Sequence, residues 1–253
     1  MLAVGPTIRC KLMAKRTDIL KRAQRDSPVT PGSRRDEVDA FLAKARERKL
    51  PRTGEGGRLI FALDATMSRQ PTWDLACQLQ GEMFDAAGRL GDLSVQLVYF
   101  RGHGEARASR WVSDGPALKS LMTGIACHGG LTQIGRVLDH ANKAARAAPV
   151  AALVYVGDAM EENVDRLCQK AGDLGLRGTR AFMFLEGHDP AATRAYGEIA
   201  RLTGGVLLPF NASAANELRD LLAAVGTFAA GGRAALETAN TAAARRLLAD
   251  LRP

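Results

Sequence analysis

Short apolar runs alternate with amphipathic stretches along most of this chain, and that alternation constrains the fold more than any other feature. Leu59-Ile60-Phe61-Ala62-Leu63, Ser94–Phe100, Ala151–Val156, Ala181–Leu185 and Val206–Pro209 read as strands. The first is apolar throughout, as a strand covered on both faces must be. Between the runs lie apolar stripes at helical spacing. Pro71 opens one that carries Leu75, Leu79, Met83, Ala86 and Leu90. Others carry Ile134, Val137, Leu138 and Ala141, then Val164, Leu167, Cys168 and Ala171, then Tyr196, Ile199 and Ala200. A last one, Leu218, Leu221, Leu222 and Val225, follows the final strand. Strands joined by such helices pair in parallel. One interval is too short for a crossover. Only Gly102-His103-Gly104-Glu105 separates Ser94–Phe100 from a further strand at about Arg107–Val112, so these two form a hairpin. The pattern predicts a doubly wound, mostly parallel α/β sheet with one antiparallel edge strand and helices on both faces.

The two ends depart from this alternation. Residues 1–35 hold nine Lys/Arg against two acids, a net of +7 out of the chain's +8, so the basicity belongs to a tail and the remainder is nearly neutral. Residues 36–57 read as a short helix, with Val38, Phe41, Leu42 and Ala45 on one face, and a linker containing Pro51, Gly54, Gly56 and Gly57. Residues 58–230 carry the alternating domain. After Gly231-Gly232, residues 231–253 read as a helical appendage with Leu236, Leu247, Leu248 and Leu251. No apolar stretch reaches the roughly 18–20 residues of a membrane span. Cys10, Cys77, Cys127 and Cys168 lie far apart with no CxxC pair. That spacing argues against zinc knuckles, iron–sulfur sites and disulfide scaffolds, and favours a reducing compartment. The tail is not expected to be a secretory signal, because Arg9, Lys11, Lys15 and Arg16 interrupt any apolar core. It is Arg-rich and acid-poor, as transit peptides are, and a basic arm binds phosphates non-specifically, which makes nucleic acid an alternative partner.

Open α/β sheets bind ligands beyond the carboxyl ends of their strands, where the strand order reverses. Three segments fall there: Asp64-Ala65-Thr66-Met67-Ser68 after the first strand, Gly129-Gly130-Leu131-Thr132-Gln133-Ile134-Gly135 before a helix, and Gly157-Asp158-Ala159-Met160-Glu161-Glu162 after the central strand. Together they bring two carboxylates, Asp64 and Asp158, to three hydroxyls, Thr66, Ser68 and Thr132. An all-oxygen set suits a hard cation, Mg²⁺, Mn²⁺ or Ca²⁺; zinc or iron would want His or Cys. With so few anionic ligands the ion keeps positive charge and an open position, which an acidic side chain of a partner can fill. Such chemistry points to ligand capture more than to catalysis. Both carboxylates are expected at strand ends, outside the core.

These residues resemble the metal-ion-dependent adhesion site of von Willebrand factor A (vWA) domains, which has Asp-x-Ser-x-Ser after the first strand, a Thr in a Gly-rich loop and an Asp ending the fourth strand. Val95–Phe100 with its short hairpin is similar to that family too, and the resemblance covers about residues 58–230. It implies that Asp64, Thr66, Ser68, Thr132 and Asp158 hold Mg²⁺ (or Mn²⁺ or Ca²⁺) and that a protein partner presents an Asp or Glu to the ion. It further implies no enzymatic activity and a cytoplasmic adaptor or assembly role. Thr66 stands where Ser is usual, and Ala159 where Gly is common. A phosphatase of the haloacid dehalogenase type is the enzyme alternative. It needs a second carboxylate two residues after the first, and Thr66 occupies that position. No G-x-G-x-x-G follows a strand, which excludes dinucleotide binding. Glu161 and Glu162 are candidates for a second metal shell or for partner selection, or they serve the dipole of a helix they open. His128 lies near the Thr132 loop, and Trp73 and Trp111 are candidate contacts or core plugs.

Overall fold

The computed structural model of the chain describes residues 57–69, 93–210 and 215–251, which all belong to one compact unit, Phe41–Pro253. The expected tail, the helix and linker up to residue 56, the stripe from Leu75 to Leu90, and Trp73 lie outside the described residues.

Strands form where the apolar runs predict them: β1 (Arg58–Asp64), β2 (Ser94–Arg101), β3 (Glu105–Val112), β4 (Ala152–Gly157), β5 (Arg180–Glu186) and β6 (Val206–Phe210). They make one six-stranded sheet in the order β3-β2-β1-β4-β5-β6. Every pairing is parallel except that of β2 with β3, the antiparallel edge. The described helices are α1 (Gly115–Thr123), α2 (Ile134–Ala147), α3 (Val164–Leu176), α4 (Pro190–Thr203), α5 (Ala215–Ala239) and α6 (Ala242–Asp250).

Side chains alternate across the pleat, so each central strand feeds two cores. Leu59, Phe61 and Leu63 of β1 pack with Leu118 and Met122 of α1 and with Leu221 and Val225 of α5. Ile60 and Ala62 turn the other way, toward Val137 and Leu138 of α2, Leu167 of α3 and Ile199 of α4. This two-sided burial is why β1 carries charge only at its two end residues, Arg58 and Asp64, and β4 carries none.

Helix α1 is absent from the sequence-based expectation. Asp114 caps it, its carboxylate accepting the Ala117 N–H at 2.7 Å, and Pro116 fits its first turn. Nine residues with two inward side chains, Leu118 and Met122, give too short a stripe to stand out. At the other end, helix α5 breaks at Gly232, whose φ of 68° lies in the left-handed region that suits glycine. The chain beyond it is helical, and Leu236, Ala244, Leu247 and Leu251 are buried in the same cluster as Phe61 and Val154.

Leu247 is fully buried, so Leu247→Ala should destabilise the protein by about 2–5 kcal/mol, read from urea unfolding. A near-neutral change would show that helix α6 contributes nothing to the core.

Candidate metal centre

The chain leaves β1 for β2 on one side and reaches β4 on the other, so the strand order reverses between β1 and β4. Leu63 pairs with Val156, and Asp64 and Asp158 follow that pair by one and two residues. Asp64 is only 1 % exposed, which corrects the expectation that it lies outside the core. Its Oδ1 accepts the Thr66 N–H at 2.8 Å, an Asx turn that folds the chain back at the strand end. The turn sets the Thr66 hydroxyl 3.0 Å from that of Ser68. Thr66 is buried and Ser68 exposed, so the pair runs from the interior to the surface. Backbone bonds hold this loop on both sides: the Ala65 N–H donates to the Phe100 carbonyl at 3.0 Å, and the His128 N–H to the Ala65 carbonyl at 3.0 Å. Thr66 and His128 thereby form a parallel bridge, and the His128 side chain is exposed.

The second loop rests on the hairpin. A Cβ at Gly130 would stand 2.2 Å from the Gly102 carbonyl oxygen, so the two backbones touch where no side chain fits. Gly102 itself has a φ of +62°. The Leu131 N–H and the Gln133 side-chain amide both donate to the Gly102 carbonyl, at 3.3 Å each, and Arg136 Nη1 donates to that of Gly104 at 2.7 Å. Gly102-His103-Gly104 thus buttresses the Thr132 loop. A cavity of about 230 Å³ opens between them, lined by His103, Leu131, Thr132, Arg136 and Glu162 among others.

The third loop is held from below. Tyr196 O–H donates to the Ala159 carbonyl at 2.9 Å. A Cβ at Gly157 would meet that phenol at 2.7 Å and the Tyr155 ring at 2.9 Å. Tyr155 stacks on Phe100 (centroids 5.9 Å apart) and meets Tyr196 edge-on (5.3 Å). Burial foremost pushes the Tyr155 phenol well above its ordinary range, with Tyr196 and the Asp64 carboxylate adding to the shift. Asp158 sits above this column, and its Oδ1 is buried without a hydrogen-bond partner among the described residues.

Glu161 and Glu162 do not lie in the first turn of the helix that follows them, which corrects that expectation. Asn163 caps α3, accepting the Arg166 N–H at 3.0 Å. The two glutamates instead reach across to α2, whose own N-cap residue, Gln133, makes no side-chain cap. Glu162 accepts the Ile134 N–H through Oε1 and the Gly135 N–H through Oε2, the latter at 3.0 Å. Burial raises its pKa, opposed by those two N–H groups and by Lys170. Glu161 Oε2 accepts both the N–H (3.0 Å) and the O–H (2.7 Å) of Thr132, and the Glu161 N–H donates back to Thr132 Oγ1 at 3.2 Å. Trp111 is half-buried against the core, with the Arg58 guanidinium 3.9 Å above its ring, an edge plug at the far end of the sheet's β2–β3 ladder.

All five expected donors lie at one edge of the sheet. The structure joins Thr66 to Ser68 and, through Glu161, ties Thr132 to the loop that bears Asp158. Among the described residues, no group of three or more His, Cys, Asp and Glu is placed to hold a metal ion. Any cation here must rely on hydroxyls beside two carboxylates. The donor set fits such an ion: it is all oxygen, and a buried carboxylate oxygen without a partner costs about 1–3 kcal/mol or more unless something meets it. The clamp by Glu161 and Glu162 and the glycine contact beneath Gly130 were not foreseen. The acidic pair beside Asp158 was the only signal, and it named no partner.

No family model and no curated protein matches the sequence. Solved structures match it in shape. A von Willebrand factor type A protein from Catenulispora acidiphila superimposes with a TM-score of 0.55 at 18 % identity, over 68 % of this chain and 43 % of that one. The SpRpn10 VWA domain gives 0.55 at 11 %, over 66 % and 95 %. Proximal thread matrix protein 1 from the mussel byssus, with a zinc-occupied MIDAS motif, gives 0.53 at 15 %, over 68 % and 46 %. The chain therefore spans less than half of the Catenulispora protein and of the mussel protein. It has the vWA fold.

Gly130→Ala should destabilise the protein by about 1–3 kcal/mol, because backbone atoms of Gly102 must move. Gly129→Ala, where a Cβ meets nothing within 4 Å, should be far milder. Thermal melts compare the two, and equal melting temperatures would contradict the buttress.

Proposed function

We propose that this chain, which has the vWA fold, is a divalent-cation-dependent protein-binding module. The observation that carries this reading is Asp158 Oδ1, buried and unpartnered beside an edge rich in hydroxyls. Asp64, Thr66, Ser68, Thr132 and Asp158 would hold the ion, with Mg²⁺ or Mn²⁺ the best match to neutral hydroxyls beside two carboxylates. When bound, the ion supplies a positive charge with room for one more oxygen, and an Asp or Glu of the partner fits that place. The chain's own residues shape the approach. Met67 and Leu131 are the two large apolar side chains that stand out into solvent among the described residues, 55 % and 53 % exposed. Each adjoins an expected ligand, so the partner's acid would be flanked by apolar contacts.

A binding role fits better than turnover. Thr66 stands two residues after Asp64, where a phosphatase of the rival class needs a second carboxylate, and a Thr hydroxyl cannot transfer that proton at neutral pH. The zinc held by the mussel protein supports metal loading at this place in the fold. The four cysteines are widely spaced with no CxxC pair, in keeping with a reducing, intracellular setting, where the module would serve as an adaptor or assembly factor.

Calorimetric titration of EDTA-treated protein with Mg²⁺ and with Mn²⁺ tests the reading. One site per chain is expected, lost in Asp158→Asn and in Asp64→Asn. Asn is the better probe at 64 because its amide oxygen still accepts the Thr66 N–H. Ser68→Ala, at the exposed end, should weaken binding less. Wild-type protein that takes up neither cation would overturn the proposal, as would undiminished binding by Asp158→Asn.

A further inference from the structure

We infer that Glu161 is a positioning residue that presents Thr132 to the cation, an inference that rests on the cation reading above. A threonine hydroxyl has one proton and two lone pairs, and it serves a cation only through a lone pair, with its proton directed elsewhere. Here the proton goes to Glu161 Oε2 at 2.7 Å, and one lone pair takes the Glu161 N–H at 3.2 Å. One lone pair remains, and its direction is set by the other two bonds. Oε2 also holds the Thr132 N–H at 3.0 Å, which fixes the backbone beneath the hydroxyl. Accepting the hydroxyl proton with an anionic oxygen raises electron density on Oγ1, as partners behind a ligand do in metal sites.

Direct ligation by Glu161 is the competing role. It would gather Asp64, Asp158 and Glu161 around one ion, and no such group of three acids is placed to hold a metal among the described residues. A purely structural cap is the other, and Glu162 already performs it, accepting the N–H groups of Ile134 and Gly135 at the start of α2. The two neighbouring glutamates divide the work: Glu162 secures the helix and Glu161 secures the hydroxyl. This also explains why Thr132, in a loop 29 residues from Glu161 in sequence, is tied to the segment that bears Asp158.

Mg²⁺ titration of Glu161→Ala, Glu161→Gln and Glu162→Gln, with amide hydrogen exchange at Thr132 in EDTA, tests the assignment. Glu161→Ala should bind Mg²⁺ about 10–100-fold more weakly and exchange the Thr132 amide faster before any ion is added. Glu161→Gln keeps an oxygen that accepts both Thr132 bonds, and should recover most of the affinity. Glu162→Gln should lower the melting temperature with little change in affinity. Wild-type affinity in Glu161→Ala would overturn the inference, and so would a Glu161→Gln as weak as Glu161→Ala, which would make the charge a direct ligand. Wild-type protein that binds no Mg²⁺ would remove the cation reading itself, whereas the other two outcomes leave it standing.

Discussion

Burial of β1 and β4 on both faces is the constraint on which the rest depends. A parallel sheet covered by helices on each side has no room for a charge along its strands, because an ion there would lose its water without a partner. In β1 charged side chains are therefore confined to the strand ends, and β4 has none. Asp64 closes β1 in this way, almost fully buried yet held by the Thr66 N–H. Asp158 stands just past β4, next to Gly157, where two tyrosines leave no space for a Cβ. Because the strand order reverses between β1 and β4, the same constraint that keeps charge out of the interiors of these two strands places Asp64 and Asp158 side by side beyond their carboxyl ends.

That edge is stiff by construction. The Asp64 loop is tied by backbone bonds to β2 and to the segment before α2. The Thr132 loop lies on the glycines of the hairpin, and the Asp158 loop is anchored to the Tyr196 hydroxyl. Glu161 and Glu162 then join the last two loops to each other. Weakly charged sites bind cations well only when the protein, and not the ion, has already fixed the donors. The packing here meets that requirement with glycine contacts and with carboxylates reaching across from the neighbouring loop, and leaves Met67 and Leu131 exposed at the rim, where the proposed partner would dock.

Much of this was legible in the sequence because two-sided burial writes a continuous apolar run, and all six described strands fall on such runs or on the hairpin. The edge strand was readable from a turn too short to cross over. Asp64, Thr66, Ser68 and Asp158 were picked out as candidates from their places after strands, and Thr132 from its Gly-rich loop before a helix. What was illegible depends on contacts distant in sequence. Nothing local reveals that Glu162 caps α2, 28 residues away, or that Gly130 must be glycine because of Gly102. Helix α1 escaped because its inward face is only Leu118 and Met122 with the glycine at its start. The acids beside Asp158 were read as candidates for a second metal shell or partner selection, or as serving the dipole of the helix they open; Glu162 instead meets the start of a different helix.

The central claim is that these hydroxyls and carboxylates share one cation. A crystal of the full chain soaked in Mn²⁺, with data collected at the manganese absorption edge, locates that ion without reference to affinity. The account predicts one anomalous peak at the β1–β4 edge, within about 2.0–2.6 Å of oxygens from Thr132 and from the Thr66–Ser68 pair or Asp158. Manganese bound only elsewhere, with Thr132 held by Glu161 and facing no ion, would contradict it.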